Sequence, residues 1–169
     1  PIGYWPLAWT TLVAIGTIRV IGAPRAFEYA GSAIYCAFLI AGAYRYADRR
    51  VPQMLFPTAF GVAFIATLAS FAGAESLVGN LALLLAPLSI CYAAGVAYSA
   101  VRNRRASLSH QLVPVGLILL AFLGAYDHQK NGRSLDSLLI WLVIGIPIAT
   151  NQAIVVFDRL RSRTNKIAA

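Results

Sequence analysis

An all-α, polytopic membrane bundle of six helices with both termini cytoplasmic is the fold class encoded by this chain, and three observations predict it. Hydrophobic residues fill 59% of the 169 positions and charged residues only 12%, with a mean hydropathy of +0.70, whereas soluble domains average about 45–50% apolar and about 25% charged. The apolar residues gather into six stretches near the length of about 20 residues that a helix needs to cross a hydrocarbon core. Ten of the 14 Lys and Arg lie in three clusters, one after every second stretch.

Span 1 covers residues 3–22. No basic region precedes it and no small-residue cleavage site ends it, so it is expected to stay as a helix and not be removed as a signal peptide. Arg19 lies about one turn from its far end, and an ionisable residue at that depth needs a partner or a route to the interface. Glu28, Glu75 and Asn80 are the groups within reach. Span 2 covers 29–47; Ala33, Ala37 and Ala41 recur at a spacing that lets helix backbones approach closely, and Arg45, Arg49 and Arg50 follow.

Span 3 covers 52–73, with Phe56, Phe60 and Phe64 at helical spacing as packing or lipid contacts, or as one wall of an apolar pocket together with Trp141. Span 4 covers 76–101. Its run Leu81-Ala82-Leu83-Leu84-Leu85-Ala86 is apolar on every face, which excludes the alternation of a transmembrane β-strand. Ala82 with Ala86 and Gly95 with Ser99 repeat the small-residue spacing, and Arg102, Arg104 and Arg105 follow. Span 5 covers 110–126. Span 6 covers 137–157 and is followed by Arg159, Arg161, Arg163 and Lys166.

Basic loops are retained on the cytoplasmic side, so both termini are expected inside. Topology and anionic headgroups account for the net charge of +8 without a nucleic-acid partner. Short loops favour sequential antiparallel neighbours. Trp5-Pro6, Phe56-Pro57 and Val113-Pro114 recur near the starts of the odd spans, 51 and 57 residues apart, consistent either with a three-hairpin repeat or with the frequency of Pro in membrane helices.

Chemistry inside the membrane is sparse. The carboxylates Glu28, Asp48, Glu75, Asp127, Asp136 and Asp158 all fall at span ends or in loops, so neither a buried acid relay nor a metal site is indicated. His110 and His128 flank span 5 on opposite sides and cannot share a haem. Cys36 and Cys91 are expected at different depths, as packing residues. Neither a P-loop, a zinc-protease helix nor a serine elbow occurs; no cofactor, metal or catalytic residue is predicted.

The polar residues left in the spans are Arg19, Asn80, Ser89, Tyr92, Thr150, Asn151 and Gln152. They either bond across the bundle or line a cavity. Arg19, Asn80, Ser89, Tyr92, Trp141 and Asn151 are therefore the candidate ligand-binding set, with Pro87 and Pro147 as mid-helix interruptions able to frame a pocket. Trp5, Trp9, Tyr4, Tyr44, Tyr46 and Tyr126 lie where an interfacial aromatic belt would sit.

Residues 1–157 form the expected transmembrane domain, and 158–169 a cytoplasmic exit helix. Phe157, Leu160, Thr164 and Ile167 follow a 3-4-3 spacing that matches an a/d seam, with no Gly or Pro between them. The alternative is a basic tail lying on anionic lipid. In its six close spans, basic Arg45–Arg50 loop, Asn151 in the last span and exit helix Phe157–Ala169, the chain resembles the six-helix membrane sensor domains of bacterial histidine kinases, most closely the receptor kinases for alpha-hydroxyketone quorum-sensing autoinducers. The resemblance implies a two-component receptor of the bacterial inner membrane: a homodimer through span 6 that takes up a small apolar or amphipathic signal and passes a shift of the last helix to an output domain. That output would carry a phosphoaccepting histidine and a kinase domain, neither of which occurs in these residues. A small transport module, as an importer's substrate-binding subunit or a channel subunit, and a structural subunit of a membrane complex are the other functions this composition allows.

Overall fold

The computed structural model describes the backbone over residues 3–102, 108–129 and 135–168, and the side chains there except 127–142, 159 and 162–168. It is all-helical, with no strand among the described residues. Six α-helices follow in order: α1 (Tyr4–Val20), α2 (Arg25–Tyr46), α3 (Leu55–Ala69), α4 (Glu75–Arg102), α5 (Leu108–Gln129) and α6 (Leu135–Ala168), with a π-helical turn, Ser70–Ala74, between α3 and α4. Three stretches are long and apolar enough to cross a membrane: Arg25–Tyr46, Leu55–Arg102 and Leu108–Tyr126.

The longest of these stretches doubles back. Gly73 has φ 91°, a value that a side-chain-free residue adopts at little cost. Ring contacts of Phe38 with Phe56 and of Phe27 with Phe71 set α3 antiparallel to α2. Tyr44 against Tyr92 and Arg25 beside Glu75 set α4 parallel to it.

Helix ends follow local chemistry. At the end of α1, Ala23 N–H donates to Ile18 C=O and Gly22 N–H to Arg19 C=O, a Schellman closure with Gly22 at φ 72° and Pro24 just beyond. The end of α2 repeats this pattern, with Arg49 N–H donating to Tyr44 C=O, Asp48 N–H to Arg45 C=O and Asp48 at φ 55°. Pro6 and Pro57 fall in the first turns of α1 and α3, where an N–H has no helical acceptor anyway. Pro114 lies a turn further in, so the three proline pairs are not equivalent. It cannot donate to His110 C=O, which instead accepts from the Tyr46 hydroxyl at 3.0 Å.

Helices successive in the chain alternate in direction, which collects Arg45, Arg49, Arg102 and Arg161 at one end of the bundle; Arg104 and Arg105 lie outside the described residues. α2 packs against α1, α3 and α4; α4 against α5; α5 against α6; and α6 reaches α1. Among the described residues the backbones of α1 and α4 do not approach each other closely, nor do those of α4 and α6. Five helices therefore form a ring in the order α1, α2, α4, α5, α6, with α3 outside it on α2.

Close approach within the ring rests on glycine. Gly31 and Gly42, eleven residues and about three turns apart, share a face of α2. A Cβ on Gly31 would lie 2.7 Å from Ile15, and one on Gly42 would overlap the Trp5 indole. Ala37 and Ala41 are buried within the bundle, so the small-residue series of α2 serves internal packing. The buried core gathers in the basic half, around Trp5, Ala8, Leu39, Ala93, Leu117 and Val155.

Candidate functional site

The half of the ring away from the basic end is hollow. A cavity of about 1090 Å³ is lined by all five ring helices and by no residue of α3. It exists because α1 and α4 both lean on α2 without a close backbone approach to each other, and small residues of the facing helices, Gly79, Ala82, Ala86, Ala121, Gly124, Gly145 and Ala149, leave the space unfilled.

Its wall is layered. At the open end lie two ion pairs. Arg19 Nε donates to Glu28 Oε2 at 2.8 Å between α1 and α2, with side chains 22% and 12% exposed. Arg25 Nε faces Glu75 Oε1 at 3.6 Å, half-exposed. Deeper come Ser32, Tyr35 and Asn80. The Tyr35 hydroxyl is buried and has no hydrogen-bond partner among the described residues, an arrangement that costs free energy unless something else accepts its proton. Pro87 also lines this level and cannot donate to Leu83 C=O one turn back. The floor is Trp9, Cys36, Ile90 and Ala121.

Trp9 closes the ring. Its indole N–H donates to Gln152 Oε1 on α6 at 2.8 Å, and its ring packs over Gly145, where a Cβ would meet it at 3.4 Å. Gly145 and Gln152 are seven residues apart, so both present the same face of α6. Gln152 is 2% exposed.

Of the predicted ligand set, Arg19 and Asn80 line this cavity, as does Pro87. Of the three partners considered for Arg19, Glu28 is the one it bonds. Ser89, Tyr92 and Asn151 lie outside its lining. Tyr92 faces outward and shares a hydroxyl hydrogen bond with Tyr44, and Asn151 Nδ2 donates to Ser109 C=O at 3.0 Å, tying α6 to α5. Pro147 is exposed, and the side chain of Trp141 lies outside the described residues. Phe60 and Phe64 are exposed on α3, and the Phe56 ring packs at a tilt against Phe38 and Tyr4, away from the cavity.

Trp5, Trp9 and Tyr46 are expected from the sequence in an interfacial belt, but the structure turns all three inward: Trp5 and Tyr46 are 4% exposed and their rings pack at a tilt against each other. The acceptors at Gln152 and His110 C=O draw the Trp9 and Tyr46 polar tips into the bundle. Tyr35 and Gln152 carry weight that spacing alone did not reveal.

Of the transmission residues, Phe157 and Leu160 are on α6 and exposed. Thr164 and Ile167 belong to the same continuous helix, their side chains outside the described set. Cys36 and Cys91 are free thiols, one buried and one exposed. The chain was compared with protein-family models, with curated proteins and with solved structures, and it matches none of them.

Proposed function

We propose that the chain is a six-crossing membrane sensor and transmission domain, with the basic end and both termini cytoplasmic, that binds a small apolar or amphipathic molecule in the ring cavity and relays occupancy through α6. The observation that carries this reading is the double role of Trp9, which is at once cavity floor and the hydrogen-bonded lock on Gln152. A molecule that reaches the floor must press on the residue that holds α6 to α1, and α6 continues unbroken to Ala168. Such a molecule biases α6 only by its differential affinity for the locked and released arrangements.

Six crossings are supported by the reversal at Gly73 and by the gathering of basic residues at one end, as the positive-inside bias requires. The exposed apolar seam of Phe157 and Leu160 suits a second copy of α6, in keeping with the likeness to kinase sensor domains.

The test is a distance measurement in nanodiscs between spin labels at Arg49→Cys and Arg161→Cys in a background lacking Cys36 and Cys91. Adding single-chain amphiphiles of increasing length should move the distance by about 1–5 Å, the scale of helix shifts in switching proteins, and Trp9→Phe should abolish the change. Binding without any change would defeat the relay and leave a carrier function, which uptake by proteoliposomes would then reveal.

A further inference from the structure

We infer that the cavity is built for a single-chain lipid with a zwitterionic head, an ammonium and a phosphate, and an ester or amide carbonyl below it. This rests on the reading of the cavity as a ligand site and adds which ligand it takes.

Charge at the opening comes first. Arg19, Arg25, Glu28 and Glu75 all line the cavity, two of each sign. A head with net negative charge would face Glu28 and Glu75, and one with net positive charge would face Arg19 and Arg25. A neutral head carrying both signs meets neither penalty. Arg19 and Glu28 are closely bonded at 2.8 Å, but Arg25 and Glu75 stand 3.6 Å apart and are 40% and 50% exposed. Such a loose exposed pair is weakly held, so each member can exchange the other for a ligand group of charge opposite to its own, phosphate onto Arg25 and ammonium onto Glu75. Guanidinium matches phosphate in shape as well as charge.

Depth supplies the second match. Asn80 lies five residues below Glu75 on α4, about 8 Å, and Tyr35 seven residues below Glu28 on α2, about 10 Å. In a lysophospholipid the ester carbonyl lies six bonds from phosphorus, about 7 Å when extended. That brings it to the level of Asn80 and the Tyr35 hydroxyl, the buried donor that lacks a partner among the described residues. From Glu75 to Ile90 the wall runs fifteen residues, about 22 Å, which leaves an apolar shaft for one acyl chain ending at Trp9. A volume of about 1090 Å³ is at the top of the range for ligand pockets.

The experiment uses the full chain in phosphatidylcholine nanodiscs and three lipids of one chain length, brominated near the chain end: lysophosphatidylethanolamine, lysophosphatidylglycerol and monoacylglycerol. Bromine at the floor quenches Trp9, and the part of the quench that Trp9→Phe removes is the signal. The zwitterionic lipid is expected to saturate at about tenfold lower concentration than either comparator. Glu75→Gln, at an exposed position that folding tolerates, should bring it within about twofold of the neutral lipid. Equal midpoints for the three heads, or a preference that survives Glu75→Gln, overturn the zwitterion assignment while the cavity remains a ligand site. If none of the lipids gives Trp9-dependent quenching, the ligand-site reading falls with it.

Discussion

Trp9 and Gln152, 143 residues apart in the chain, meet through an indole N–H···Oε1 hydrogen bond of 2.8 Å. Among the described residues no other side-chain hydrogen bond joins α1 to α6, so it closes a ring whose α1–α2, α2–α4 and α5–α6 seams carry polar ties of their own. Because Gln152 is buried, Trp9→Phe leaves its carbonyl without this donor, and the loss should be about 1 kcal/mol, near the upper values for interhelical bonds in membranes. The double variant Trp9→Phe with Gln152→Leu should recover most of it, since both polar ends are then gone. Thermal unfolding in detergent checks this; a double variant weaker than the single one would show that packing at Gly145, not the bond, secures the seam.

Arg19 and Glu28 form the other tie between helix ends. Removing one member takes the 2.8 Å partner from a mostly buried charge, so Arg19→Met should destabilise by about 1–3 kcal/mol, less than a fully buried pair because both side chains keep some exposure. Replacing both with Met should cost less than replacing Arg19 alone. A denaturation series on the three variants measures the coupling directly.

Gly42 and Gly61 make a controlled contrast. A methyl group at Gly42 overlaps the Trp5 indole, while one at Gly61 on α3 meets nothing within 4 Å. Gly42→Ala should cost about 1–3 kcal/mol through overpacking. Gly61→Ala should gain about 0.5–1 kcal/mol from lost chain entropy and helix propensity. Equal effects at the two sites would place Trp5 elsewhere than on α2.

The reversal at Gly73 makes a topological prediction. In a chain without Cys36 and Cys91, an impermeant thiol reagent should label Ala23→Cys and Ala72→Cys from outside intact cells, and Gln53→Cys only after permeabilisation. Ala72→Cys behaving like Gln53→Cys would mean that Leu55–Arg102 crosses once as a single long helix, and the six-crossing arrangement would fail.

Helix positions and the clustering of basic residues were legible because length, apolar runs and loop chemistry act locally. The break between α3 and α4 falls at Ser70–Ala74, at the boundary expected near residues 73–76, and Glu28, one of the three partners considered for Arg19, is bonded to it. The ring was not legible. In a chain this apolar, the side of a helix that meets a neighbour is no more hydrophobic than the side that does not, so periodicity cannot say that α3 stands outside or that α1 and α4 stay apart. Tyr92 and Trp9 illustrate the consequence: each is an aromatic residue with one polar tip, and only the location of an acceptor decides that one faces outward to Tyr44 and the other inward to Gln152.

The length of α6 has a mechanical side. From Pro147, the residue that interrupts its hydrogen-bond ladder, to Ala168 there are 21 residues, an arm of about 31 Å at 1.5 Å per residue. Gln152 lies only five residues past that proline, about 8 Å along the arm. A pivot at Pro147 therefore multiplies any sideways displacement at Gln152 roughly fourfold at the far end, so that a movement of about 1 Å against Trp9 becomes about 4 Å at Ala168. In the proposed relay the helix acts as a lever whose short side is set by one indole.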